Sequence, residues 1–327
     1  MNDLNPNNNF NNELNFRELV SICWINKVFI SVVVFIFSLL SIFYSLSLTN
    51  IYTSQSLLTP TSTNNQSSNR FGNLASITGI SLVGANDELS IALALLKSKK
   101  LVEKLIDDES FLPNLMAVLE YNKINQNIVY NKDLYDAKNK VWTRKASSIY
   151  QSIPSTQEAF RRFNQHVTVT KDNKTNLVTV SVQHESPIVA QEWAILIVKE
   201  VNEMIADMII QDAQNSIVFL NEQIKTTPYA ELRTMFYELI QQKTQSMMLA
   251  KVNPEYALTT IDPPLVPEIK SKPNRAFVCI LGALLGGMLA LFVVLISRNV
   301  FNSTNVLDLL ATIDYRKFSF YKIFKRK

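Results

Sequence analysis

The chain has only two cysteines, Cys23 and Cys279, and only two histidines, His166 and His184. Both cysteines lie in or beside the uncharged runs at the two ends, so the large segment between those runs has none. A disulfide is thereby excluded there, even in an oxidising compartment. Two histidines on neighbouring candidate strands, with no third ligand in view, are a poor start for a metal site. Glycine is scarce too, with three at Gly72, Gly79 and Gly84 and three more near the carboxyl end. The first three do not spell GxxxxGK[ST], which excludes a phosphate-cradling loop of that type. No strand–GxSxG–helix context occurs, and no paired-carboxylate cleft is visible. No catalytic residue, metal site or cofactor is expected.

Charge is absent from two long stretches, Val28–Leu48 and Ala276–Ser297, the second fenced by Arg275 and Arg298. A helix of that length measures about 30 Å, enough to cross a bilayer core. Residues 28–48 and 276–297 are therefore expected to be transmembrane helices. The first is too long for a typical signal peptide and has no A-x-A site after it. Beyond Ser297 the chain is basic, with Arg316, Lys317, Lys322, Lys325, Arg326 and Lys327. Lysine and arginine mark the cytoplasmic side. This gives a cytoplasmic amino-terminal segment 1–27, an external domain 49–275 and a cytoplasmic basic tail 298–327. The middle segment is formally neutral, so the net +4 of the chain resides in its tail. A polyanion reading from the pI fails, and no nucleic-acid partner is expected.

The start, MNDLNPNNNFNN, is Asn-rich and low in complexity. Ile51–Thr59 reads as a strand closed by Pro60. Asp87–Asp107 reads as one helix with leucines near helical spacing, capped by Asn86 or Asp87. Phe111–Ile153 is polar and weakly patterned, read as a surface insertion with some helix around Lys132–Lys145. Ser155 and Glu158 have capping-box spacing before a short helix at Thr156–Asn164. His166–Lys171 and Asn176–His184 alternate around a DNKT turn, a hairpin signal.

Ser186-Pro187 opens a helix of about 40 residues, 187–226, whose apolar stripe includes Trp193, Ile197, Val201, Ile205 and Leu220. Thr227-Pro228 breaks it. A second helix, about 229–250, folds back and makes an antiparallel hairpin. Tyr256–Ile261 is a returning strand, placed to pair with the first. Glu200 and Glu203, at i,i+3 on the long helix, read as a solvated face.

Three groups of residues are candidates for contact. Pro263, Pro264, Pro267 and Pro273 stiffen the lead-in to the second span, an extended strap over 262–273. Gly282 and Gly286 form GxxxG inside that span, with Gly287 offset by one, a pattern that lets helices approach closely in lipid. Their partner is left open between the first span, a second copy and another membrane protein. Lys97, Lys99, Lys100 and Lys104 cluster on one helix, either as a solvated face or as a contact for phosphate headgroups or an acidic glycan.

The order of these parts resembles the polysaccharide co-polymerases, the Wzz or chain-length determinant family. FRELVSICWINK, IYTSQSLLTP, FGNLASITGISL, TIDPPLVPEIKSKPNR and CILGALLGGMLALFVVLI carry the likeness. It implies an α+β membrane protein, with two transmembrane helices flanking a periplasmic α/β base and a long extended helical hairpin. It further implies a non-catalytic homo-oligomer of the bacterial inner membrane. Such a protein works with a Wzy-type polymerase and its growing lipid-linked glycan to set the chain length of O-antigen or a related polysaccharide. Some relatives carry a cytoplasmic tyrosine-kinase domain, but no Walker motif follows Ser297 here. The alternative is an adaptor that activates a separate cytoplasmic tyrosine kinase in capsule or exopolysaccharide export.

Overall fold

A computed structural model describes residues 24–61, 85–147 and 150–301. The Asn-rich start, the Phe71–Leu82 stretch and the basic tail from residue 302 lie outside the described residues, as do the side chains of Asn86 and Asp87. The chain divides into two units, Thr49–Lys272 and the pair of terminal segments Met1–Leu48 and Pro273–Lys327.

The larger unit is built on an antiparallel sheet. Strand β1 (Tyr52–Pro60) follows the first apolar helix, α1 (Lys27–Ser47). The chain then forms α2 (Ala85–Leu96), α3 (Lys99–Ile106) and α4 (Phe111–Met116). Two small hairpins follow, β2 (Val118–Asn122) with β3 (Asn127–Tyr130), and β4 (Tyr135–Asp136) with β5 (Val141–Trp142). Helix α5 (Thr156–His166) runs into the hairpin β6 (Val167–Lys171) and β7 (Val178–His184). Then come α6 (Pro187–Thr226), α7 (Ala230–Val252), β8 (Leu258–Asp262) and the second apolar helix, α8 (Arg275–Phe301). The sheet order is β6-β7-β1-β8, so the first and last strands of the unit pair directly.

Period-2 alternation decides which face of the sheet is covered. Val178, Val180 and Val182 of β7 are buried, while Thr179 and Ser181 between them are half-exposed. The first part of α6 packs on β1 and β7 and contributes Trp193, Ile197, Val201 and Ile205 to the same core. Its start is fixed chemically: the Ser186 hydroxyl accepts from the Val189 N–H, and Pro187 occupies the first turn, where a missing N–H is harmless. Asn202 is buried within this apolar surface. Its side-chain oxygen accepts from the N–H groups of Ala257 and Leu258, and its amide donates to the Leu258 carbonyl at 2.9 Å. The long helix is thereby tied to the start of β8. Helix α5 begins with the expected capping box between Ser155 and Glu158.

Two expectations need correction. The helix read over Asp87–Asp107 is two helices, because Ser98 leaves the helical conformation and caps α3 by accepting from the Leu101 N–H. The segment after Phe111 has no helix around Lys132–Lys145. Asn131 and Asp136 instead accept from backbone N–H groups two residues on, which turns the chain locally. Nor is the segment all surface. Phe111, Leu112 and Leu115 of α4 are buried, and the Phe111 ring lies 4.6 Å from Trp193, centroid to centroid. A six-residue helix is too short to show a period, which hides it in the sequence.

In the smaller unit, α1 and α8 pack along each other. Most of their apolar side chains face outward, Phe35, Phe43, Ile280 and Phe292 among them. Both helices are long and apolar enough to cross a membrane, which fits a two-pass membrane protein.

Candidate functional surfaces

The proline segment is non-helical from Pro263 to Asn274 and bends at Glu268 and Ile269. Prolines cannot donate a backbone hydrogen bond, and here the segment is held through its carbonyls. Gln191 of α6 donates to the Pro264 carbonyl at 3.0 Å, and Ser54 of β1 donates to the Leu265 carbonyl at 2.8 Å. Pro264 is buried. Further on, Ile51 and Lys272 form an antiparallel bridge, reinforced by the Ser271 N–H donating to the Ile51 carbonyl. The strap therefore lies along the sheet unit as far as Lys272, and Pro273 is the first residue of the other unit's second segment. Ser54 and Gln191 went unnoticed in the sequence because single polar residues in a strand and on a helix carry no pattern of their own.

Within the helix pair, Gly282 and Gly286 face α1. A Cβ at Gly282 would collide with Ser41, and one at Gly286 would come to 2.6 Å from the Phe37 Cβ. Gly287 is less constrained, with Val34 at ordinary contact distance. The Ser41 hydroxyl donates to the Val278 carbonyl at 2.8 Å, a cross-helix bond that the close approach permits. Of the partners left open above, the first span is the one against these glycines.

Lys97, Lys99, Lys100 and Lys104 are exposed, Lys99 lies 6.0 Å from the centre of the Phe160 ring, and Lys104 pairs with Asp107 at 3.6 Å.

His166 and His184 do meet, with ring centroids 5.9 Å apart, but inside the core beside Trp193. The His184 Nε2–H donates to the Asn114 carbonyl at 3.0 Å, and its Nδ1 accepts from the Ser186 N–H at 2.9 Å. The neutral ring is thus used on both sides, one of them the residue that caps α6. Burial pushes its pKa down to about 4, against a smaller opposing pull from its hydrogen bond to the Asn114 carbonyl. His166 is lowered by burial as well. Among the described residues no group of three or more His, Cys, Asp or Glu could hold a metal ion.

Glu200 is not the freely solvated residue expected. One of its carboxylate oxygens is buried without a hydrogen-bond partner, and burial, with Glu203 nearby, raises its pKa. Glu203 fits the expected face, exposed and 3.6 Å from Lys199.

The helical hairpin carries uncovered apolar side chains. Val218 and Phe219 on α6, with Leu232, Tyr237, Met248 and Leu249 on α7, are all exposed.

The family model described as Wzz, chain length determinant protein, matches residues 12–109. The match spans less than half of the chain and takes in α1, β1, α2 and α3. Two solved structures are similar to this chain. A full-length bacterial polysaccharide co-polymerase is 16% identical, with a TM-score of 0.37, covering 88% of this chain and 98% of its own. A fragment of WzzB, a polysaccharide co-polymerase from Salmonella Typhimurium, is 13% identical, with a TM-score of 0.30, covering 68% and 100%. No curated protein matches the chain.

Proposed function

We propose that this chain is a non-catalytic scaffold that regulates the chain length of O-antigen or a related surface polysaccharide made by a Wzy-type polymerase. It acts as a homo-oligomer in the bacterial inner membrane, with both termini cytoplasmic and the sheet unit and hairpin in the periplasm. The family match supports the polysaccharide role. The observation that carries the scaffold reading is the hairpin of α6 and α7. Forty residues of helix span about 60 Å, and the exposed apolar side chains along the far half require cover. Neighbouring copies supply that cover when hairpins stand side by side. The Gly282 and Gly286 contacts hold the two spans of each copy together, and the Pro263, Pro264, Pro267 and Pro273 strap fixes the lead-in to the second. The growing lipid-linked glycan is then held by an assembly whose height the hairpin sets.

Gene deletion followed by electrophoresis of the surface polysaccharide tests the reading. The expected result is loss of a preferred length, restored by the wild-type gene and restored only partly by Phe219→Glu. Unchanged ladders on deletion overturn it. A normal ladder with loss of phosphorylation of a cytoplasmic tyrosine kinase would favour the adaptor reading instead.

A further inference from the structure

One end of the sheet unit combines two highly exposed isoleucines with lysines, and it is the end from which the chain leaves toward both apolar helices. Ile51 and Lys272 are bridged, so both exits of the unit leave from one point. Ile51 comes four residues after the end of α1, and Lys272 three residues before the start of α8. A chain covers at most about 3.5 Å per residue, so neither link can be longer than roughly 15 Å.

Two loops flank that point. The β2–β3 turn sits beside it: the Lys123 ammonium lies 5.1 Å from the centre of the Tyr52 ring. At its tip Ile124 is 91% exposed, more than any other large apolar side chain among the described residues. On the strap, Ile269 is 81% exposed, and its neighbour Lys270 donates to the Asn50 side chain at 3.2 Å. Lys123, Lys270 and Lys272 form no ion pair among the described residues. Glu268 is the acid beside Ile269. An isoleucine at a loop tip next to a lysine suits the boundary of a bilayer, where the apolar group enters the acyl edge and the ammonium meets phosphate.

We infer that this end of the unit is a second, peripheral membrane contact, in which Ile124 and Ile269 dip into the lipid surface and Lys123, Lys270 and Lys272 meet its headgroups. The occupant is the lipid bilayer itself. The inference rests on the two-pass reading. It adds a footing that stops the unit swinging on its two short links.

The test uses the full-length chain with Cys23→Ser and Cys279→Ser, in nanodiscs of phosphatidylcholine and phosphatidylglycerol. An environment-sensitive fluorophore is placed singly at Ile124→Cys, Ile269→Cys, Val252→Cys and Val32→Cys. Val252 is as exposed as Ile269 but stands by the far end of β1, and Val32 belongs to α1. The expected result is strong quenching by spin-labelled lipid at positions 32, 124 and 269 and little at 252. Lys123→Glu with Lys270→Glu then reduces quenching at 124 in anionic nanodiscs but not in phosphatidylcholine alone. Quenching at 32 with 124 and 269 no different from 252 overturns the contact and leaves the two-pass reading standing. Quenching at only one of the two isoleucines overturns the paired footing. No quenching at 32 overturns the two-pass reading and the contact with it.

Discussion

Helix α6 is continuous in its backbone and divided in its surroundings. From Pro187 to Ile205 a side chain is buried on every turn, among them Val189, Trp193, Ile197, Val201 and Ile205. From Ala206 to Thr226 only Ala213 and Leu220 are buried. The near half is held by the sheet, by Asn202 on the start of β8 and by Gln191 on the strap. The far half has α7, one ion pair between Lys243 and Asp212 at 2.7 Å, and little else. Folding free energy is thus concentrated in the near half. The far half is a helix pair that leaves Val218 and Phe219 of α6 exposed.

Substitutions placed on either side of that divide test it. Ile197→Ala removes a fully buried side chain and is expected to destabilise the sheet unit by about 2–5 kcal/mol. Urea unfolding of the detergent-solubilised chain, followed by tryptophan fluorescence, measures it. A loss as small as that of a far-half variant would erase the distinction.

Acid acts on the core around the near half through His184. His184 is neutral and buried with a pKa of about 4, whereas the unfolded ring has its ordinary value of 6.5. The unfolded chain therefore takes up a proton first as pH falls. Stability contributed by the neutral ring is fully present above about 6.5 and is lost as pH drops toward 4, at roughly 1 kcal/mol per pH unit. The groups around it are His166, Glu185 and, beside His166, Arg162. His184→Gln is expected to flatten the pH dependence of the unfolding midpoint across that window, and a slope equal to wild type would show that other groups set it.

In the far half, Lys243→Ala is expected to cost no more than about 1 kcal/mol, because both partners are substantially exposed. Phe219→Ala should leave the unfolding midpoint unchanged within about 0.5 kcal/mol while weakening self-association in sedimentation. A large loss of intrinsic stability from Phe219→Ala would mean the far half is internally packed after all.

The apolar stripe of the near half was legible in the sequence, but the polar ties that hold it were not. Ser186-Pro187 and Thr227-Pro228 marked both ends of α6, since capping and proline chemistry are local. The β6–β7 alternation and the uncharged runs were equally plain. Asn202 was not, because a polar residue inside an apolar stripe looks like noise until its partners, more than fifty residues away, are known. The same holds for Ser54 and Gln191 under the strap. Helix α4 was missed for its brevity, and the Ser98 break for its ordinary surroundings in a leucine-rich run. In the helix pair, GxxxG announced close approach, but the identity of the opposite wall, Ser41 and Phe37, belongs to tertiary structure.

The clasp between Ile51 and Lys272 has a mechanical corollary. Strain that arrives along either link meets its opposite number at that first rung, passes to the strap carbonyls held by Ser54 and Gln191, and only then reaches the rungs of β1 and β8. The near half of α6 shares the load through Gln191 and Asn202, and the far half with α7 stands outside it. Drawing the two links apart would open these ties one by one before it could stretch the far half of the hairpin.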